Sequence, residues 1–338
     1  MIKKILIFLF INIALIICAD EADDFYSKGD DLFLEKKYNE AIECYKKAID
    51  LGKNNVGVYN NMGYALYNIK NYDEAIKFLK KAIEIDPTYY GAYLNRGNCY
   101  LKKGLLEQAK QDYYKVIEIN PEYQTSYYNL GIYYDEIDDF EKSIYYYEKA
   151  LKLDPKYLSA YNNLGYVYGK KRKYWKAIEY LNKCLKLDPD HVNSYYIRGI
   201  CFLLLNFYEK ANSDFDNLLR LDKISSENYI LKLITLFKIS PKKEYLNYLK
   251  FLESKKNDFD KDSEIYKFIN FYLYYDTNKE FYKTYDSKYK YFLLAYKMLS
   301  LKRLKEAKIY FNIYLSNSKH KDLFYILTEN EIKNIFFI

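Results

Sequence analysis

The feature that most constrains the fold is a recurrence every 34 residues, which extends from residue 22 to residue 225. An aromatic residue stands four places before each recurring glycine, and Ala or Ser stands twelve places after it. Self-similarity at a fixed period of this length indicates a repeat architecture, in which each unit is one supersecondary element. The recurring glycines are Gly29, Gly63, Gly97, Gly131, Gly165 and Gly199.

Within one such unit, residues 56–89, the apolar residues recur at intervals of three and four in two runs, 59–66 and 75–83. That interval is typical of amphipathic helices, and the segment NIKNYDE between the runs contains Asn and Asp, which favour turns and helix starts. Pro87 closes the unit, because proline is disfavoured inside a helix. We therefore predict an all-α fold of helix hairpins, each with an apolar face that only stacked neighbours can bury.

The order of aromatic residue, glycine, small residue and proline resembles the tetratricopeptide repeat (TPR). The resemblance implies a right-handed α-solenoid of helix-turn-helix repeats with a helical C-terminal extension. Departures are small, since Ser143 replaces alanine and Lys53 and Lys223 stand where proline is expected. The six units that carry the resemblance are 22–55, 56–89, 90–123, 124–157, 158–191 and 192–225.

Residues 1–19 are predicted to be a signal peptide rather than part of the fold. Lys3 and Lys4 precede a 13-residue apolar run from Ile5 to Ile17. That length suits a signal-peptide core and is short for a membrane span. Cys18 follows the residues LII, which resemble a lipoprotein cleavage box, so it is a candidate for lipidation and for association with a membrane through a lipid anchor. Cleavage after Ala19 and a buried first helix are the alternatives.

The predicted location is therefore outside the cytoplasm, with the protein exported and periplasmic, envelope-anchored or secreted. Residues 226–338 lack the 34-residue period but still read as helices. The segment 288–321 resembles a degenerate repeat, with Ala295 in the glycine place and Ala307 in the small-residue place. Such a tail can cover the last apolar face of a solenoid, and a separate functional domain is the alternative.

Charge is unevenly distributed along the chain. Residues 22–225 contain 30 basic and 30 acidic side chains, whereas residues 226–338 contain 21 basic and 14 acidic ones. A basic tail suits an anionic membrane surface or an acidic partner, although charges scattered along helices usually form a solvated surface. We expect no nucleic-acid binding, because no nucleic-acid motif is present and an export signal argues against it.

No catalytic pattern is present in the sequence. It contains neither a phosphate-binding G-x-x-x-x-G-K-[ST] segment nor a G-x-S-x-G nucleophile motif. The cysteines after the leader show no C-x-x-C spacing and no metal-ligand spacing with the two histidines, so we predict buried thiols. The chain is accordingly predicted to be non-enzymatic and to need no cofactor and no metal. These cysteines are Cys44, Cys99, Cys184 and Cys201.

The candidate binding residues lie in the predicted first helices, which line the concave groove in the family. One place, two residues before the glycine, bears Asn in four successive units, and an amide there can donate to and accept from a peptide backbone. The alternative is that this Asn belongs to the family consensus and supports the helix pair. Tyrosine, a large and stiff amphipathic residue, recurs nearby. The candidate groove residues are Asn61, Asn95, Asn129, Asn163, Tyr64, Tyr128, Tyr166 and Tyr196.

We therefore expect a non-catalytic protein–protein interaction scaffold that binds a peptide segment or a helix of a protein partner in the groove. The alternative is an accessory subunit of a cell-envelope assembly or cell-wall machine, docked through the basic tail. The paired Lys/Arg clamp by which some family members hold a C-terminal carboxylate is missing, since Arg96 and Arg198 are isolated.

Overall fold

The fold was analysed in a computed structural model, which describes residues 19–222, 225–240, 244–255 and 304–317, together with a few residues between 326 and 333. The four continuous ranges contain fifteen helices, and no strand occurs among the described residues, which confirms the predicted all-α class. The predicted leader with Cys18 lies outside the described residues, and so does Ala295 of the degenerate unit. The chain divides into two compact units, Met1–Pro155 and Lys156–Ile338.

The first unit consists of four helix hairpins, and each hairpin occupies one 34-residue repeat. The two helices of a hairpin pack on each other, and the second helix of one hairpin packs on the first helix of the next. The helices are α1 (19–34), α2 (Tyr38–Asp50), α3 (Val56–Asn68), α4 (Tyr72–Ile85), α5 (Tyr90–Lys102), α6 (Leu106–Ile119), α7 (Gln124–Glu136) and α8 (Phe140–Leu153).

The second unit contains two more hairpins of the same kind and then three described helices of the tail. Ala307, predicted to take the small-residue place of the degenerate repeat, is fully buried in the last of them. The helices are α9 (Leu158–Lys170), α10 (Tyr174–Leu187), α11 (Val192–Leu204), α12 (Tyr208–Leu221), α13 (Ser226–Ile239), α14 (Glu244–Lys255) and α15 (Leu304–Asn317). None of the helices within the described ranges is both long and apolar enough to cross a bilayer.

The recurring glycine allows the two helices of each hairpin to approach closely. A Cβ atom at any of the six glycines would lie 2.5–2.7 Å from the side chain sixteen residues later, in the second helix. Such a distance is far inside van der Waals contact, so any larger residue would push the helices apart. The facing side chains are Tyr45, Leu79, Tyr113, Tyr147, Leu181 and Phe215.

Two residues after the end of each first helix stands a residue in the left-handed region, with φ between 57° and 72°. In the second repeat this residue is Lys70, and the backbone N–H of Asn71 then donates to the carbonyl of Leu66 at 2.9 Å. This bond satisfies a carbonyl that the helix end would otherwise leave unpaired. The residues at this place are Lys36, Lys70, Gly104, Asp138, Arg172 and Asn206.

The core of the first unit is continuous from hairpin to hairpin. One cluster of buried side chains joins the first three repeats, from Ala41 to Cys99, and a second joins the third and fourth, from Tyr93 to Tyr134. The four cysteines after the leader are free and buried, as predicted. Burial raises the pKa of the thiols of Cys99 and Cys201 to about 12, so they behave as apolar core residues rather than as nucleophiles.

Candidate functional site

The first helices of successive repeats lie side by side within each unit. In the first unit α3 contacts α1 and α5, and α5 contacts α7; in the second unit α11 contacts α9 and α13. The surface formed by α1, α3, α5 and α7 is called the first-helix face of the first unit. It carries three of the four candidate Asn residues, and Asn163 lies on α9 of the second unit.

The candidate Asn amides bond to the preceding repeat. Asn61 Nδ2 donates to Tyr26 Oη at 3.0 Å and to Asp30 Oδ1 at 2.9 Å. Asn95 Nδ2 donates to Asn60 Oδ1 at 3.0 Å. The acceptors are 31 or 35 residues back in the sequence, which is one repeat away. These hydrogen bonds therefore link first helices of adjacent repeats.

The other two members of this series also bond within the fold. Asn129 is buried and donates to Asn98 Oδ1 at 2.8 Å, while Asn163 Oδ1 accepts from Asn162 at 3.3 Å. Asn98 Oδ1 additionally accepts from the hydroxyl of Tyr113 at 2.9 Å. The alternative interpretation, in which the recurring Asn supports the stacking of the helices, accounts for the bond of Asn129, whereas the bond between Asn162 and Asn163 lies within α9.

The four candidate tyrosines differ in exposure. Tyr64 is exposed and its ring centroid lies 5.1 Å from that of Phe33. Tyr128 is half-buried against Tyr147, with ring centroids 5.6 Å apart. Tyr166 and Tyr196 on the second unit are half-buried as well. Of the four tyrosines, Tyr64 has the most exposed side chain and is the most accessible to a ligand.

A cavity of about 340 Å³ opens where α1, α2 and α3 meet. It brings two of the candidate residues together, Asn61 and Tyr64. The other lining residues were not identified from the sequence. One signal was present, because Tyr45 follows Asp30 at the same fifteen-residue spacing as Tyr113 follows Asn98, and both pairs form a hydrogen bond. The cavity is lined by Asp30, Phe33, Leu34, Tyr45, Asn61 and Tyr64.

The Asp30 carboxylate is held in place by neutral donors. Its Oδ1 accepts from the hydroxyl of Tyr45 at 2.7 Å and from Asn61 Nδ2 at 2.9 Å. Burial, reinforced by the nearby Asp30, raises the pKa of Tyr26 to about 12, and the same two causes raise that of Tyr45. Both phenols therefore stay protonated and can donate. Within the described ranges no Lys or Arg forms an ion pair with Asp30.

The two isolated arginines each pair with a carboxylate of their own repeat, and Arg198 also donates to Asn182 Oδ1 of the preceding repeat at 2.6 Å. Arg96 Nε and Nη2 donate to the two carboxylate oxygens of Asp112 at 2.9 and 2.7 Å. Arg198 forms the same bidentate pair with Asp214, at 2.9 and 2.6 Å. Because both guanidinium groups are held against buried carboxylates, they brace hairpins rather than present a charged surface. In the part of the chain that the structure describes, no cluster of His, Cys, Asp or Glu is arranged to hold a metal ion.

Comparison with known proteins supports the repeat assignment. The tetratricopeptide repeat family matches residues 56–89, 90–123, 125–157 and 159–191, and a second description, TPR repeat, matches residues 29–70. No curated protein matches the sequence.

Several solved structures are also similar to this chain. A tetratricopeptide repeat protein from Parabacteroides merdae is 18% identical, covers 74% of this chain and 98% of its own, and has a TM-score of 0.54. The pilF structure of Pseudomonas aeruginosa is 18% identical, covers 64% of this chain and 98% of its own, and has a TM-score of 0.55. MamA of Desulfovibrio magneticus is 26% identical, covers 51% and 97%, and has a TM-score of 0.45.

The first two likenesses show the same fold at low sequence identity. Family members of this kind are in general non-catalytic scaffolds for protein–protein interaction, and they bind protein or peptide partners. With the matched repeats, the hairpin geometry and the glycine contacts in agreement, the chain carries tetratricopeptide repeats between residues 29 and 191.

Proposed function

We propose that the protein is a non-catalytic scaffold that binds an extended segment or a helix of a partner protein on the first-helix face of the first unit. The observation that carries the proposal is the cavity on this face, where Asn61 and Tyr64 meet. A concave site with mostly apolar walls and a few fixed polar groups is typical of binding sites.

Exposed apolar side chains at the cavity support the proposal. Leu34 is 78% exposed and Tyr64 is 39% exposed, and both lie beside Phe33 at the cavity. Apolar side chains left in water at a concave site gain free energy when a partner covers them. Tyrosine adds a stiff ring with a polar end, which is why it is frequent at the centres of interfaces.

The test compares two exposed tyrosines of the first unit. Peptides are selected from a random library on the full-length protein, and their affinities are measured by calorimetric titration. We expect Tyr64→Ser to weaken binding about tenfold or more, since interface tyrosines often contribute 2 kcal/mol or more. Tyr145→Ser, at a residue that is 51% exposed on the second helix of the fourth repeat, is the matched control and should leave affinity unchanged. Equal effects of both changes, or none, would contradict the proposal.

The protein is further proposed to act outside the cytoplasm, on the evidence of the apolar run after Lys3 and Lys4. Intact mass of the protein from its native host should show an acylated N-terminus at Cys18 or a free one at Asp20. A soluble cytoplasmic protein that still begins at Met1 would contradict this. In the alternative function, the basic tail docks an envelope assembly. Deletion of residues 226–338 distinguishes the two functions, because peptide binding should survive the deletion if the first-helix face is the site.

A further inference from the structure

The cavity between α1 and α3 combines one charge with apolar walls. Asp30 is the charged residue among its lining side chains, and Phe33, Leu34 and Tyr64 form its walls. Tyr45, whose side chain is fully buried, and the half-buried Asn61 both donate to the Asp30 carboxylate. The carboxylate is thus fixed in orientation before any ligand arrives, which lowers the cost of binding one.

The charge of this carboxylate is not neutralised within the described part of the chain. Both donors to Oδ1 are uncharged groups, a phenol and an amide. By contrast, Asp112 and Asp214 each face an arginine of the same repeat. A fixed carboxylate beside apolar walls attracts a cation more strongly than one in open water, because the local dielectric constant is lower.

We propose, on the basis of the proposed function, that this cavity receives the side chain of a lysine or arginine from the bound segment. The aliphatic stem would lie along Phe33, Leu34 and Tyr64, and the cationic head would donate to Asp30. Long basic side chains bury their stems on apolar surface in this way while their charged ends stay polar. The rings of Phe33 and Tyr64 add attraction for a cation near their faces.

Other side chains fit the cavity less well. An acidic side chain would be repelled by Asp30. A purely apolar one would cover the carboxylate without offering it a donor, and a polar group buried without a partner costs free energy. At about 340 Å³ the cavity holds one side chain rather than a folded element, and it lies at the lower end of the size range of ligand sites.

The experiment selects random heptapeptides displayed on phage against the immobilised full-length protein and two variants. Asp30→Asn removes the charge while keeping an acceptor for Tyr45. Asp31→Asn, one residue further on at an exposed position outside the cavity lining, is the matched control. We expect the wild type and Asp31→Asn to enrich Lys or Arg at one position of the peptide, and Asp30→Asn to lose that enrichment while still selecting peptides.

A selected peptide then serves as the probe in titrations. Replacing its lysine by norleucine keeps the aliphatic stem and removes the charge. This should weaken binding to the wild type at least about tenfold, because a hydrogen bond between two charged groups is lost. For Asp30→Asn the same replacement should change affinity less than about threefold, which isolates the coupling between the two groups.

A second variant keeps the test decisive if Asp30→Asn folds poorly. Leu34 is 78% exposed, so Leu34→Lys leaves the fold intact and places a competing cation at the cavity. It should weaken binding of the lysine peptide about tenfold and binding of the norleucine peptide less, because that peptide loses only its apolar contact with Leu34 and meets no charge repulsion. Unchanged binding of the lysine peptide would overturn the inference.

The outcomes separate this inference from the proposed function. Peptides that bind with no basic preference, or with the same preference on Asp30→Asn, overturn the inference and leave the proposed function standing. If the full-length protein retains no peptide at all, the proposed function fails, and the inference that rests on it fails too.

Discussion

The third and sixth repeats fill the space between their two helices differently from the fourth and fifth. In the third repeat, Arg96 lies over Tyr100 and pairs with Asp112; in the sixth, Arg198 lies over Phe202 and pairs with Asp214. In the fourth and fifth repeats a leucine stands in the arginine place and a tyrosine in the aspartate place. There, Tyr134 stacks on Tyr146 and Tyr168 on Tyr180, with interplanar angles of 1° and 8°.

The comparison shows that the repeat prescribes a contact between helices but not its chemistry. An ion pair requires two charges to be taken out of water, and burial raises the pKa of the carboxyls of Asp112 and Asp214 although each arginine opposes that rise. A tyrosine stack has no such cost and gains from ring packing. The two solutions should therefore respond differently when one partner is lost.

The largest expected effect is the loss of one partner of the ion pair. Arg96→Ala leaves Asp112, which is 5% exposed, without its two charged donors. Breaking a buried pair in this way typically costs about 3–5 kcal/mol. Hydrogen exchange should quicken most in α5 and α6. The control Lys102→Ala removes the same charge from an exposed place on α5 and should cost under about 0.5 kcal/mol.

A transplant tests whether the two solutions are interchangeable. Arg96→Leu combined with Asp112→Tyr gives the third repeat the residues that the fourth has, Leu130 and Tyr146. Because buried ion pairs can be replaced by packed apolar groups at little cost, the free energy of unfolding should lie within about 1 kcal/mol of the wild type. Each single change should cost more than the pair together, as measured by urea unfolding; an additive result would show that the two places are independent.

A smaller effect is expected in the tyrosine stack. The hydroxyl of Tyr146 lies 2.9 Å from that of Tyr114, and Tyr146→Phe removes this hydrogen bond while keeping the stacked ring. The expected cost is about 0.5–1 kcal/mol, near the lower end for a hydrogen bond because Tyr114 is 40% exposed. Tyr123→Phe, whose hydroxyl makes no hydrogen bond within the described residues, is the control. A larger loss in the control than in Tyr146→Phe would contradict the assignment.

The smallest effect concerns pH. A carboxyl whose pKa is raised in the folded state contributes stability that is fully present below its unfolded pKa, about 3.9, and is lost as pH rises through the folded value. The stability of the wild type relative to the Arg96→Leu, Asp112→Tyr transplant should therefore fall as pH rises from about 4 to 7. Urea unfolding at several pH values measures this difference, and a difference that grows with pH would show that Arg96 outweighs burial at Asp112.

Much of the fold could be predicted from the sequence. The 34-residue spacing predicted the helix pairs, and the place of Gly131 predicted a close helix approach, which the ring of Tyr147 fills at 2.5 Å from a would-be Cβ. These features are local, because they depend on periodicity and residue size within one hairpin. The left-handed residue after each first helix was harder to predict from the sequence, because Lys70 and Arg172 hold a conformation that glycine adopts more readily.

Only part of the candidate binding surface could be predicted from the sequence. Asn61 and Tyr64 were singled out by their recurrence, yet the recurrence alone left open whether the amide serves a ligand or the fold. The hydrogen bond from Asn61 to Asp30 spans 31 residues and joins two repeats, so only the stacking of α3 on α1 reveals it. When a side chain bonds to a residue one repeat away, helix packing determines that partner, and the residues next to it in the sequence do not.

The sequence by itself thus determined the repeat, its hairpins and the glycine contacts, because these follow from spacing along one chain segment. Only the tertiary structure decided which polar groups meet. Among the described residues Asp30 has no ion-pair partner at its cavity, because α2 and α3 supply neutral donors there. Asp112 became one half of an ion pair because α5 supplies Arg96. The two carboxylates differ in the helices packed against them, and that packing sets their charge environment.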